Sequence, residues 1–146
     1  MVVAGICIGV AGIGFFASRD IIGSVLFAFA LLSVVAYKLY LYTGTAGFIK
    51  KGELPLLLLV FAGNIAGCLL MSLLARLSPM PLQESAQNIL EGRLAMGPLH
   101  GGLLSIACGF IMTTAVTFAR KGNNFPLLFG VPLFITCGYP HCMADA

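Results

Sequence analysis

Long apolar runs, separated by short charged clusters, make up most of this chain. A helix that crosses a bilayer needs about 20 mostly apolar residues, and clusters such as Arg19-Asp20 and Lys50-Lys51 mark where the runs end. The pattern therefore predicts one transmembrane domain, residues 1–146, that is entirely helical. Its five predicted apolar helices cover about 1–18, 21–49, 54–75, 98–119 and 125–146.

Two of the five runs are too irregular to be simple spans. The run 21–49 is longer than one crossing, and its threonines and glycines predict a break near 43–47. In the last run, Gly138 and Pro140 predict a second break near 138–141. Irregular backbone is tolerated at membrane depth only where protein buries it or where it lines a cavity. Both breaks therefore indicate a central site.

The segments between the runs predict the topology. The stretch 76–97 is polar, and Ser85 to Leu94 within it are expected to form a short interfacial helix. Short loops rich in lysine and arginine tend to lie in the cytoplasm, which places the N-terminus inside and the long loop outside. The cytoplasmic basic residues are then Lys50, Lys51, Arg120 and Lys121, and those on the other side are Arg19, Arg76 and Arg93.

Composition agrees with a membrane protein. Hydrophobic residues make up 60% of the chain and charged residues 9%, against about a quarter charged in soluble domains. The net charge of +3 comes from the short clusters at the ends of the runs, so a nucleic-acid surface is not expected. The five cysteines lack metal-site or CxxC spacing and are interpreted as packing residues, with Cys142 also a candidate for the site. No metal and no cofactor is predicted.

The candidate chemistry lies in ionisable residues at membrane depth, which are costly and usually functional. His141 and Asp145 closely follow the apolar run 125–136, and we expect His141 to lie in a narrow pore. Lys38 either extends to the membrane surface or faces the interior. His100, at the start of the fourth predicted helix, is either an interfacial residue or a further pore residue.

The two halves of the chain are alike. Each has a glycine-rich helix, a turn with basic residues and an apolar run that ends in a predicted break. A third helix, 54–75, follows the first half and would place the second half in the opposite orientation. This order predicts an inverted-repeat helical bundle with two broken helices. The third helix of the second half, which would be a sixth helix, is absent from the sequence.

Three short motifs carry a resemblance to a known family. They are Leu41-Tyr42-Thr43-Gly44, Gly63-Asn64 and Gly138-Tyr139-Pro140-His141-Cys142-Met143-Ala144-Asp145. Their order and spacing resemble those of the second, third and fifth helices of the formate/nitrite transporters, pentameric channels for small monovalent anions. The resemblance covers essentially the whole chain, which looks truncated before the sixth helix. It implies an aquaporin-like fold, a homopentamer and a prokaryotic-type inner (plasma) membrane location.

The resemblance also implies roles for individual residues. His141 corresponds to the central pore histidine, and Thr43 would face it from the first break. The apolar constrictions on either side would be formed by Phe134, Leu41, Phe27 and Leu31.

The sequence departs from the family motif at two positions beside the histidine. Pro140 replaces a glutamate, and Asp145 replaces an asparagine. The lost glutamate leaves charge balance at the histidine to another group, for which Asp145 is the candidate. His100 stands where the family has a lysine near the pore.

These observations predict a channel or transporter for small weak-acid anions such as formate or nitrite. A bare anion pays a large desolvation cost in an apolar constriction, and a histidine that shares a proton with it lowers that cost. The expected partners are the anion, protons and the lipid bilayer.

Other functions also fit parts of this sequence. The alternative is a channel for neutral solutes such as water, ammonia or urea. An intramembrane hydrolase that uses His141, Cys142 and Asp145 is disfavoured, because neighbouring side chains point in different directions and no hydrolase motif is present. An enzyme is therefore not predicted.

Overall fold

The computed structural model describes residues 1–145, and every regular element in them is an α-helix. Ala146 lies outside the described residues. The helices are α1 (Val2–Ser18), α2 (Ile21–Ala36), α3 (Tyr42–Ala46), α4 (Leu54–Ala75), α5 (Leu82–Met96), α6 (Pro98–Arg120) and α7 (Phe125–Thr136).

Two of the described helices, α4 and α6, are long and apolar enough to cross a membrane. They have 22 and 23 residues, and their most apolar stretches reach mean hydropathies of 2.3 and 1.8. The apolar helices α1, α2 and α7 are shorter, with 17, 16 and 12 residues. Large apolar side chains such as Phe29, Phe110 and Phe129 lie on the outer surface. An apolar exterior of this kind suits contact with lipid.

The helices pack around one apolar core. Helix α1 lies against both α2 and α4, whereas α7 packs against α2 and α6. The short helix α3 contacts α4 and α6, and α5 contacts α1 and α6. The short helix α3 and the turn after α7 both lie near α6, where they line one cavity.

Glycines allow α1 and α4 to pack closely. A Cβ atom at Gly5 would overlap the carbonyl oxygen of Asn64, and one at Gly67 would overlap that of Val2. A Cβ at Gly9 would come within 2.5 Å of the Cβ of Met71. The small-residue face Gly5/Gly9, spaced four residues apart, is therefore a close contact with α4, as helix pairs in membranes often use.

The turn between α1 and α2 lies at Arg19-Asp20, where the charged pair suggested it. Arg19 adopts the left-handed conformation with φ 54° and donates its N–H to the carbonyl of Phe15 at 2.8 Å. The Asp20 carboxylate accepts the Gly23 N–H at 2.8 Å and so caps the start of α2.

The first break lies earlier than the sequence pattern predicted. Helix α2 ends at Ala36, and residues 37–41 are not helical, whereas most of the stretch 43–47 belongs to α3. The cause is Lys38, which takes a φ of 52° and lets the N–H of Leu39 bond to Val34 O at 2.9 Å. This is the usual way to end a helix with a left-handed residue. Thr45 supports helix instead, since its hydroxyl donates to Leu41 O at 2.8 Å.

The second break uses the same device. Helix α7 ends at Thr136, Gly138 has φ 67°, and the N–H of Tyr139 bonds to Phe134 O at 2.9 Å. Within the described residues the helix does not resume, although the sequence pattern predicted a helix up to 146. Instead, His141 O accepts the N–H groups of Ala144 and Asp145, both at 2.9 Å, and the chain forms a turn.

The polar segment after α4 contains α5, which starts three residues before and ends two after the predicted helix 85–94. It is docked on α1, because the Ser85 hydroxyl donates to Phe16 O at 3.1 Å and Leu82 is buried. Gly97, with φ 72°, separates it from α6.

Candidate functional site

A cavity of about 290 Å³ lies where α3, α6 and the turn after α7 meet. It is several times larger than the roughly 30 Å³ that one water occupies in the liquid, so a small ion fits together with water. Polar groups in its wall come from three parts of the chain. They are the side chains of Tyr42, Thr43, Ser105, Cys108, Thr113, His141 and Cys142.

His141 is a deeply buried titratable side chain in this wall, with 4% of its surface exposed. Its ring lies flat against Phe134, with the ring centres 4.9 Å apart and the planes 17° from parallel. Phe134 is itself buried in the core. The imidazole is therefore held in one orientation by an apolar platform on one face.

Hydrogen bonding fixes which nitrogen of His141 carries the proton. Nδ1 accepts the backbone N–H of Ala144 at 3.1 Å. A backbone amide can only donate, so Nδ1 presents its lone pair, and in the neutral ring the proton is on Nε2. Nε2 is buried, and no described residue offers it a hydrogen-bond partner. The ring thus presents one N–H donor that the protein itself does not use.

Thr43 has a second polar atom of the same kind. It lies in the first turn of α3, and its Oγ1 is buried without a hydrogen-bond partner in the described part of the chain. Buried polar atoms are nearly always hydrogen-bonded, so each exception requires an explanation. Because Thr43 and His141 line the same cavity, a polar ligand or water bound there would satisfy both.

Asp145 supports the backbone of the histidine. Its Oδ2 accepts the N–H of His141 at 2.9 Å. The same carboxylate forms an ion pair with Arg93 of α5, with an Nε–Oδ2 distance of 3.3 Å. Asp145 is therefore part of the site, and its charge is balanced by a residue from the long polar segment.

The other sequence candidates lie elsewhere. Lys38 and His100 are exposed and do not line the cavity. Phe27, Leu31, Leu41 and Phe134 are buried in the core and are not among the cavity-lining residues. The structure therefore brings together His141, Thr43 and Asp145, with Phe134 directly behind the histidine.

Asn64, part of the Gly63-Asn64 motif, has a structural role that the sequence did not predict. It is fully buried in α4. Its Oδ1 accepts the Tyr42 N–H at 2.8 Å, and its Nδ2 donates to Tyr40 O at 3.0 Å and to Met1 O at 2.8 Å. One amide thus satisfies the backbone on both sides of Leu41 and ties α3 to α4 and α1. The available signal was a lone asparagine between glycines in an otherwise apolar helix.

We expect Asn64→Leu to reduce the unfolding free energy by about 2 kcal/mol or more, since it leaves the partly buried Tyr42 N–H and Tyr40 carbonyl without partners. The loss is measured by thermal unfolding in detergent. Ser72→Ala is the matched control in the same helix, because Ser72 is exposed and its hydroxyl bonds only locally, to Leu69 O. Equal stability of the two variants would contradict this role of Asn64.

A metal centre finds no support in residues 1–145, where no group of three or more histidine, cysteine or acidic side chains is placed to hold an ion. The five cysteines are free thiols. The polar side chains of the cavity wall are an imidazole, hydroxyl groups and thiols.

Comparison with known proteins identifies the family. A search of curated proteins and a search of solved structures each return no match. The family model described as "Formate/nitrite transporter" matches residues 1–146, which is the whole sequence. Since the match is complete, the chain belongs to the formate/nitrite transporter family, whose members are membrane transport proteins and not enzymes.

Proposed function

We propose that this protein conducts small monovalent weak-acid anions, of the size of formate or nitrite, through the cavity that His141 and Thr43 line. The observation that carries the proposal is the pair of unpartnered polar groups, His141 Nε2 and Thr43 Oγ1, in the wall of one cavity. Family membership supports anion transport of this type.

An anion that enters the cavity loses hydrogen bonds to water, and the cavity wall replaces some of them. Nε2–H of His141 donates a hydrogen bond to one oxygen of the anion, and the Thr43 hydroxyl, which can rotate, donates to the same anion. Hydrogen bonds to a charged group are about twice as strong as those between neutral groups. Two donors therefore offset part of the cost of entering an apolar passage.

Protons accompany the anion in this proposal. Sharing the Nε2 proton brings the bound anion closer to the neutral acid, which crosses an apolar constriction at lower cost. The proton that completes the acid comes from solution, and His141 keeps its own proton on Nε2 after each passage. Uptake is therefore expected to be faster on the acidic side of neutrality.

The apolar constrictions are assigned to Phe134, Leu41, Phe27 and Leu31. All four are buried next to the elements that form the cavity. Rings of apolar side chains exclude hydrated ions and water by size and by dewetting. His100 and Lys38 receive no role in the pore, because both are exposed and lie outside the cavity wall.

The same proposal includes the fold, the oligomeric assembly and the membrane location of the protein. The fold is an aquaporin-like inverted repeat, assembled as a homopentamer in a prokaryotic-type inner membrane with the N-terminus in the cytoplasm. The membrane-length helices α4 and α6 and the apolar outer surface support a bilayer location. The shared way in which α2 and α7 end, at Lys38 and Gly138, supports the repeat.

A second candidate function is a channel for a neutral solute such as urea, ammonia or water. It is favoured by one observation, that the polar groups of the cavity wall are uncharged donors and acceptors. A neutral solute would accept the same hydrogen bond from Nε2–H.

Osmotic swelling separates the two candidates. Proteoliposomes that contain the full-length protein are shrunk in sodium formate, urea or sodium gluconate, and the recovery of volume is followed by light scattering. We expect recovery in formate to be faster than in protein-free liposomes, with no gain in urea or gluconate. Recovery in urea without recovery in formate would contradict the anion pore and support the neutral-solute channel.

A further inference from the structure

A single arginine from the long polar segment holds the turn that carries His141. Arg93 lies near the end of α5. Its guanidinium donates to the backbone carbonyls of Gly138 and Tyr139, the latter at 3.3 Å, and to the Asp145 carboxylate at 3.3 Å. These partners lie on both sides of His141 in sequence. Arg93 therefore spans the turn from its start to its end.

The position of Arg93 is itself fixed. Helix α5 is docked on α1 through the Ser85 hydroxyl and the buried Leu82 side chain. A planar guanidinium with five N–H donors suits several oxygen atoms in fixed geometry better than a lysine ammonium does. The contacts of Arg93 thus link the His141 turn to the α1/α5 contact.

Charge adds a second reason for this contact. Asp145 bonds directly to the His141 backbone, and His141 lines the cavity in which an anion is proposed to bind. An unbalanced carboxylate so close to the cavity would repel that anion. Arg93 supplies the balancing positive charge, and no other described basic side chain forms an ion pair with Asp145.

We propose that Arg93 is a positioning residue for the pore histidine: it holds the His141 turn by its carbonyls and cancels the charge of Asp145. The proposal deepens, and rests on, the anion pore proposed above. Side chains of both partners remain about a quarter exposed, 23% and 26%. A pair this exposed adds little to global stability, so its effect is expected in transport and in local mobility.

Substitutions that separate the two parts of the proposal are available. Arg93→Gln removes the positive charge and weakens the carbonyl contacts. Asp145→Asn removes the negative charge, while its side-chain oxygen still accepts the His141 N–H. The double variant restores charge balance without restoring the full set of carbonyl contacts. Arg76→Gln, at an exposed arginine with no side-chain hydrogen bond among the described residues, is the matched control.

Labelled formate uptake by proteoliposomes measures the charge part. We expect Arg93→Gln to lower uptake at subsaturating formate by about fivefold, the size expected for a charge-assisted bond near the surface. The main change is a raised KM, because an unbalanced Asp145 opposes anion entry. Adding Asp145→Asn recovers most of the loss, and Arg76→Gln behaves as wild type. No loss in Arg93→Gln, or no recovery in the double variant, would overturn the charge part.

The holding part is tested without transport. Cys142 follows His141 directly and is exposed, so its reaction with a water-soluble thiosulfonate reports on the mobility of the turn. In a Cys137→Ser background, Arg93→Gln is expected to accelerate this reaction severalfold. The double variant, which also carries Asp145→Asn, is expected to react as fast as Arg93→Gln alone. An unchanged rate would overturn the holding part. If wild-type protein carries no formate, the proposed anion pore fails, and this labelling result still decides whether Arg93 holds the turn.

Discussion

Replacing His141 with alanine is expected to lower formate uptake by about 10- to 100-fold, because it removes a charge-assisted hydrogen bond worth roughly 1.5–3 kcal/mol to the bound anion. His100→Ala is the natural control, since His100 is the chain's other histidine and is exposed outside the cavity wall. Labelled formate uptake into proteoliposomes measures both. An equal effect of the two substitutions would contradict the assignment of His141.

Two further substitutions at His141 test the proposed proton position. Glutamine carries an amide N–H close to where the imidazole has Nε2, whereas asparagine carries an oxygen close to where it has Nδ1. If the N–H donor is what the anion uses, His141→Gln retains much of the formate uptake and His141→Asn loses it. The opposite order would show that the Nδ1 contact with Ala144, and not the Nε2 donor, is what transport requires.

The second large effect is expected at Gly5. Its Cβ position is occupied by the Asn64 carbonyl oxygen, so Gly5→Ala forces α1 away from α4. It also disturbs the Asn64 amide, which anchors the start of α3 and the Met1 carbonyl. Overpacking of this kind costs about 3 kcal/mol when backbone must move. We expect a large fall in the midpoint of thermal unfolding in detergent and a poor yield of monodisperse protein.

Gly12 provides the control for Gly5 within the same helix. A Cβ atom at Gly12 meets nothing within 4 Å. Because alanine favours helix over glycine by about 1 kcal/mol, Gly12→Ala should leave stability unchanged or slightly raised. A comparable loss of stability in both variants would contradict the close contact between α1 and α4.

Helix positions were largely predictable from this sequence, because in a membrane protein apolar runs and charged clusters mark most helix boundaries. Arg19-Asp20 illustrates this, since one residue ends α1 and the other caps α2. The first break was misplaced because threonine and glycine were taken as its cause. The left-handed residue is Lys38, and no glycine or proline in the stretch 36–41 marks that position in the sequence.

The sequence predicted those parts of the site that depend on residues close together in the chain. A histidine that directly follows an apolar run is visible in the sequence, and the suspected family is confirmed by the match over the whole chain. The contacts of Asn64 with Met1 and of Arg93 with Asp145 join residues 63 and 52 positions apart. Such partners depend on how the helices pack, and no local pattern in one sequence indicates them.

The most direct test of the account is labelled formate uptake by the full-length protein in proteoliposomes between about pH 5 and pH 8, the range around an ordinary histidine pKa. Protein-free liposomes correct for the acid that crosses lipid unaided. The account predicts protein-dependent uptake that rises as the pH falls and is inhibited by nitrite. Uptake of urea without formate, or formate uptake that does not change with pH, would contradict a weak-acid anion pore built around His141.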